Sequence, residues 1–363
     1  MKSEIDPGLA ELVVASTTLS DVDGERGRLT IRGHELGELA GRRRFAEVCA
    51  LLWEGALPAD PERVARALGE GRAAAWREVP RLRAALSARD GMDALRAGLA
   101  CLREEDGGAL EIGARLAGAV AVLATAWWRL SRGLAPVAPD AAADHAADVL
   151  RMASGRDADP RLADALDRYL VTVADHGMNA STFAARVVAS TGSDAVSAVV
   201  AAIGALKGPL HGGAPGPVLD MLDAIVRPEN ADAWIRAELA AGRRIMGMGH
   251  RVYRVRDPRA AVLEATIERL ERAGLASDRL RLARAVERAA ERALSERHPE
   301  RPLRANVEFY TAVLLEAVAL DRAQFTPTFA TGRIAGWWAH VIEQRATGRL
   351  IRPKARYVGP RAA

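Results

Sequence analysis

The chain has 363 residues, enough for one large domain or two ordinary ones around a sizeable core. It is 49% hydrophobic and 27% charged with a mean hydropathy of −0.04, which excludes disordered and fibrous classes, and its longest uncharged apolar run, Leu116 to Trp128, is too short to cross a bilayer. The net charge is only +4, and 48 of the 51 basic residues are arginines that alternate with acids along stretches such as Glu264 to Arg297, a pattern that argues against nucleic-acid binding and suits a small polyanion held by a few of them.

In chain order, Met1 to Ala10 carries Lys2, Glu4 and Asp6 without a long apolar stretch, so no secretory leader is expected and the cytoplasm is the expected location. The segment Gly27-Arg-Leu-Thr-Ile-Arg-Gly33 sets β-branched residues between glycines and predicts a short strand. Helical periodicity covers about 60–86, 109–131, 140–154, 161–174, 183–205, 308–320 and 331–346. From Arg259 to Gly274, Leu263, Ile267 and Leu270 share one helix face. Ser277 and Asp278 then offer a cap to a second helix carrying Leu282, Val286 and Ala293. The pattern predicts an all-α protein, its chemistry concentrated in the Pro/Gly breaks at 207–217, 242–258 and 299–306. Two cysteines, Cys49 and Cys101, build neither a disulfide framework nor a cysteine-rich metal site.

Seven histidines differ in their company. His34, His145 and His298 stand among charged or turn residues and read as surface groups, and His340 after Trp337-Trp338 reads as a packed one. His176, His211 and His250 occupy helix breaks beside glycines, which let a backbone approach a ligand closely and free its N–H groups for anionic oxygens. Together they read as a binding or catalytic cluster. Their separations of 35 and 39 residues match no compact zinc motif, and HExxH is absent. There is no GxSxG, no basic residue beside either cysteine, and no nucleotide-binding glycine motif after a strand. Proton transfer by imidazoles next to arginine-held carboxylates is the chemistry that remains.

Read together, these motifs resemble the citrate synthase family. Asp21-Val-Asp-Gly-Glu-Arg-Gly-Arg-Leu-Thr-Ile-Arg-Gly-His-Glu-Leu looks like its opening segment, and His176-Gly-Met-Asn-Ala-Ser-Thr is similar to its first histidine region. Gly208-Pro-Leu-His-Gly-Gly-Ala and Gly247-Met-Gly-His-Arg-Val-Tyr-Arg-Val-Arg-Asp-Pro-Arg look like its two principal histidine motifs. Phe325-Thr-Pro through Trp338-Ala-His, then Arg352-Pro-Lys-Ala-Arg-Tyr-Val-Gly-Pro, resemble its ending. The resemblance covers most of the chain. It implies an all-α, two-domain homodimer: a large domain of residues 1–209 plus 309–363, and a small one of 210–308 that closes over substrate. It implies condensation of oxaloacetate with acetyl-CoA or propionyl-CoA, then thioester hydrolysis, with no metal, cofactor, nucleic acid or membrane involved. His211 would hydrogen-bond the thioester oxygen and His250 the ketone oxygen of oxaloacetate. His176, Arg259, Arg333 and Arg352 would hold oxaloacetate, Arg352 from across the dimer interface. Met246, Gly247, Met248, Gly249 and Arg254 would contact CoA. The short N-terminal segment predicts no added regulatory domain.

One departure bears on the chemistry. The family's base is an aspartate in a PNVDFYSG-type segment, whereas this chain has Ala305-Asn-Val-Glu-Phe-Tyr-Thr-Ala, placing Glu308 where the base is expected. The acid survives, one methylene further from the backbone. Pro215-Gly216, where the family tends to have Asn-Glu, and Gly177-Met178 are smaller departures. Two other readings stay open at this level: a catalytically weak or silent paralogue that binds oxaloacetate or CoA or partners an active subunit, with Glu308 an incidental helix-start carboxylate, and an enzyme with a different acyl acceptor.

Overall fold

The computed structural model describes residues 8–9, 12–212, 215–276, 278–300 and 303–360, with backbone alone at 215 and 347. The reading of Met1–Ala10 lies almost wholly outside these residues, as do Gly213 and Ala214 of the second histidine motif and the Ser277 cap. The glycine-bounded segment forms strand β2 (Arg28–Ile31). It pairs on either side with β1 (Ser20–Asp23) and β3 (His34–Glu35) in an antiparallel sheet, Ser20 opposite Ile31 and Thr30 opposite Glu35. Alternation sends Leu29 and Ile31 into the core while Arg28 stays exposed.

Helices supply nearly everything else. After α1 (Leu36–Leu39) come α2 (Phe45–Glu54), α3 (Pro61–Glu78), α4 (Gly91–Ala100) and α5 (Ala109–Ser131). The helix expected over 60–86 stops at Glu78, because Pro80 has no N–H to offer the preceding turn, and the chain continues in 3-10 turns over Val79–Leu82 and Ala85–Ser87. At 23 residues α5 is long and apolar enough to cross a membrane, yet it is mostly buried and packs on α3 and α4. Its Gly118 lies against Gly71 of α3 with no room for a Cβ on either side, so the two backbones touch. Helices α6 (His145–Ser154) and α7 (Pro160–Val173) follow, then α8 (Ala180–Ala189) and α9 (Ala195–Leu206). This last pair replaces the single helix expected over 183–205. Asn179 caps α8 early, accepting from the amides of Ser181 and Thr182, and Asp194 starts α9 afresh by accepting from Ser197 N at 2.8 Å.

A smaller group comprises α10 (Pro215–Ile225), α11 (Ala231–Ala240), α12 (Pro258–Arg272) and α13 (Arg279–Arg297); α11 packs on α13, and α12 on α7. Asp278 sits at the start of α13 without a side-chain capping bond. The chain returns through α14 (Val307–Ala317) and α15 (Phe325–Thr347), which begins six residues before the periodicity suggested. Helix α15 packs on α2, α5, α7, α8 and α9. Its tryptophans bury their rings and still satisfy their indole N–H: Trp338 donates to Ala109 O (2.7 Å) and Trp337 to Ser181 Oγ (3.0 Å).

His145 corrects the sequence reading. It is 5% exposed, packs on Phe45 and meets Arg72 Nη1 through Nδ1 at 3.1 Å. Burial, then Arg72, holds it well below the ordinary histidine range, so it is neutral. Arg72 is wholly buried, with Nε on Asp148 Oδ2 (2.6 Å) and Nη2 on the carbonyls of Asp140 and Ala143. Removing one member of such a pair strands the other charge in low dielectric. We expect Arg72→Ala to lower unfolding stability by about 3–5 kcal/mol, read as a lower urea midpoint at unchanged slope.

Candidate active site

Three helix breaks converge. His176 follows α7 in the loop leading to α8, and Nε2 lies 3.1 Å from Tyr253 Oη. Its ring stands edge-on to that of His250, centroids 5.4 Å apart. His250 is oriented by its own loop: Nδ1 accepts from the amides of Val252 (3.0 Å) and Tyr253 (3.2 Å). That assigns the neutral ring's proton to Nε2, which faces Arg259 Nη2 at 3.4 Å. Two donors aimed at one gap suit an anionic or carbonyl oxygen. Burial, followed by Arg259, lowers His250 to about 4, and burial with Arg259 takes His176 well below the usual value. Both rings are neutral near pH 7.

His211 follows α9 and reaches across to α8, with Nε2 2.8 Å from Ser181 Oγ. That oxygen accepts from Trp337 Nε1 and donates to Asn179 Oδ1 at 2.7 Å. Asn179 Oδ1 already accepts two backbone amides as the α8 cap. The serine thus has one proton and two acceptors in reach, Asn179 Oδ1 and His211 Nε2; when the proton turns to His211 Nε2, the ring's own proton sits on Nδ1 as a donor. Burial, then Arg333, lowers His211 to about 4, so it also donates as a neutral imidazole.

Glu308 is in the first turn of α14, where the Asn306 side chain caps its amide at 3.0 Å. Its side chain is turned inward: the residue is 9% exposed, and Oε2 is buried with no hydrogen-bond partner. It is not a solvated helix-start carboxylate. Burial raises it to about 7 against the pull of Arg259 and Arg333. Asp257 organises this corner. It caps α12 and takes Arg259 in a fork, Nε on Oδ1 at 3.0 Å and Nη2 on Oδ2 at 2.7 Å, while Oδ2 also accepts Val307 N at 3.2 Å. Arg333, on α15, donates Nε to Val173 O (2.6 Å) and lies over the Phe329 ring at 4.7 Å. Burial, opposed by Asp175, lowers it to about 10, so it stays charged.

The Met246–Gly249 loop is zipped to the start of α14. Gly249 N donates to Arg304 O (2.7 Å), Asn306 N to Gly247 O (2.9 Å) and Asn306 Nδ2 to Gly249 O (2.8 Å). Gly247 and Gly249 have φ of 73° and 86°, and a Cβ at either would strike Phe309 or Leu303, so only glycine fits. Met246 and Met248 stay half-buried at this edge. Arg254 is exposed and reaches Glu25 at 3.9 Å. The structure thus gathers His176, His211, His250, Glu308, Arg259 and Arg333, while Arg352 lies on the exposed C-terminal segment and does not join them within this chain. Sequence reasoning missed Ser181, Tyr253, Asp257 and Trp337 as members of the site. All four lie inside the quoted motifs, but no spacing rule brings residue 181 to 211.

The family model for the citrate synthase C-terminal domain matches residues 8–354. A protein named putative citrate synthase 2 from Mycobacterium tuberculosis is 39% identical over 364 residues, covering 98% of this chain and 93% of its own. The 2-methylcitrate synthase of the same species is 39% identical over 369 residues, covering 99% and 91%. Among solved structures, the ternary complex of carboxymethyl coenzyme A and oxaloacetate with citrate synthase from Thermoplasma acidophilum superposes with a TM-score of 0.88 at 26% identity, covering 99% of this chain and 97% of that one.

A carboxyl group raised on folding makes the folded state hold its proton more tightly than the unfolded state does. Its stabilising contribution is complete below about pH 4.5 and is lost as pH rises toward 7. Glu308→Gln removes that loss. At pH 8 the variant should exceed the parent in urea-denaturation stability by about 3 kcal/mol, and at pH 4 the two should converge.

Proposed function

As the chain belongs to the citrate synthase family, we propose that it condenses oxaloacetate with an acyl-CoA through Glu308, His211 and His250. Oxaloacetate is held by Arg259 and Arg333, with His176 beside it and its ketone oxygen in the gap between His250 Nε2 and Arg259 Nη2. A third carboxylate contact comes from Arg352 across the interface of a homodimer. That exposed position, which meets no other site residue of its own chain, is consistent with such a role. CoA lies along Met246–Gly249 and Arg254.

The α-carbon of a thioester is weakly acidic, so proton removal requires a base and a stabilised enolate oxygen at once. Glu308 takes the α-proton while His211 Nδ1–H donates to the thioester oxygen. The enol carbon then bonds to the ketone carbon of oxaloacetate. As that C=O π bond breaks, charge moves onto its oxygen, where His250 and Arg259 are already oriented. Water then cleaves the acyl–sulfur bond and CoA leaves as the thiol. Neutral imidazoles suit these steps because a neutral donor leaves the three guanidiniums to balance the substrate's carboxylates. Closure of residues 210–308 over 1–209 plus 309–363 would exclude water during carbon–carbon bond formation. With that division, the breaks at 207–217 and 242–258, and the 303–306 segment ahead of α14, would put His211, His250 and Glu308 at the seam. The reading includes a cytoplasmic enzyme with no cofactor beyond its acyl-CoA substrate. Its single strongest support is Glu308, an inward-facing acid between two guanidiniums.

The silent-paralogue reading is not favoured, since acid, imidazoles and arginines are all present where chemistry needs them. Oxaloacetate with acetyl-CoA or propionyl-CoA should release free CoA thiol, and a purified protein that releases none from either would overturn the proposal. The kcat/KM profile should rise with pH along an acidic limb near 7, as Glu308 deprotonates. Glu308→Gln should lose about 10³-fold or more in kcat together with that limb. Glu308→Asp, which draws the carboxylate back by about 1 Å, should lose roughly 10–100-fold.

A further inference from the structure

A second chain of buried polar groups runs behind the site and takes no part in the proton transfers. Asp175 and His340 are fully buried and Arg186 is 1% exposed. Ser20 Oγ donates to Asp175 Oδ2 (2.5 Å) and accepts from Gly177 N (2.9 Å), bracketing His176 from both sides. Asp175 Oδ1 faces His340 Nε2 at 3.3 Å. His340 Nδ1 meets Arg186 Nη1 at 3.0 Å, and because a guanidinium only donates, the proton of a neutral His340 ring sits on Nε2, toward Asp175. Burial alone would raise Asp175, yet His340 and Ser20 hold it below the ordinary aspartate value.

Arg186 carries the chain further. Nη1 also donates to Glu343 Oε2 (2.7 Å) and Nε to Gln344 Oε1 (3.0 Å). Gln344 Nε2 then donates to Arg349 O (3.0 Å), while Ser190 Oγ, at the end of the Arg186 helix, accepts from Ile351 N (3.0 Å). The next residue is Arg352. Glu343 Oε1 accepts Thr18 N at 2.8 Å, closing the circuit back to the segment that carries Ser20.

We propose that Asp175, His340 and Arg186 form a buried positioning relay that ties the His176 loop to the segment presenting Arg352, so that two oxaloacetate-holding elements are set by one chain of hydrogen bonds joined through the Asp175–His340 contact. This rests on the oxaloacetate reading above. A buried charged network is weak as a stabiliser, since apolar packing of equal volume often does as well or better. Its use here is to fix the distance and register of two segments far apart in sequence. In a dimer, the same relay would link the occupancy of one site to the arginine offered to the other.

A double-mutant cycle at the two ends tests this. Ser20 and Gln344 are separated by three linked side chains, and neither belongs to the proton-transfer machinery. The readout is Kd for oxaloacetate by titration calorimetry on the dimer, with CoA release, acyl-CoA KM and Tm measured on the same preparations. Ser20→Ala and Gln344→Ala should each raise the oxaloacetate Kd about three- to tenfold with acyl-CoA KM unchanged. The double variant should lie within about twofold of the worse single, whereas independent sites multiply. A Kd equal to the product of the singles, or an unchanged Kd with a lower Tm, would overturn the relay and leave a structural network. Parent protein that binds oxaloacetate but releases no thiol would overturn the reaction and spare the relay. Parent protein that does not bind oxaloacetate would overturn both.

Discussion

The geometry of the site hangs on Asp257. Its carboxylate caps α12, forks onto Arg259 and accepts the Val307 amide at the head of α14, so two helix N-termini and one guanidinium share a single anion. Each of those groups would be costly to bury alone. Joined, they hold Arg259 beside His250 and set Glu308 one residue past the amide that Asp257 grips. The glycine loop at 246–249 adds a second tie to the same helix start through Asn306. What positions the acid is therefore a set of backbone caps, and helix capping serves here as placement.

Burial then does the electrostatic work. The same exclusion of water that holds His211 and His250 near 4 lifts Glu308 toward 7, because each shift disfavours charge at its group. The imidazoles are neutral near pH 7, and the carboxyl titrates near 7. Arg259 and Arg333 keep their charge, which leaves positive potential waiting for a dicarboxylate. The Glu308 side chain fits this account: it is buried, with its carboxylate turned inward and not out to solvent.

The scaffold explains why such a site can persist. The buried Arg72–Asp148 pair is hydrogen-bonded, and Trp53, Trp127, Trp337 and Trp338 all find acceptors for their N–H groups. A few buried polar atoms stay unpaired. Glu308 Oε2 is one, and an unpartnered buried acid is where a ligand is able to act.

Much of this was legible in the chain itself. Glycine beside histidine in a helix break requires no partner to be recognised, so His176, His211 and His250 stood out from local pattern. Apolar spacing alone marked α5, α7, α12 and α13. The failures share a cause. His145 looked like a surface group because its neighbours in sequence are charged, while Arg72 and Phe45, which enclose it, lie more than seventy residues away. The single helix expected over 183–205 broke because capping by Asp194 outweighs a continuing apolar pattern. Helix α2 went unread because it is buried nearly all round and shows no polar stripe. The kinds of chemical group and the order of helices are local properties, and sequence by itself determined them. Which hydrogen each imidazole carries, how far each pKa moves and which arginine faces which acid depend on groups brought together from distant segments. Only the tertiary structure decided those, because desolvation and hydrogen-bond partners do not exist until the chain has packed.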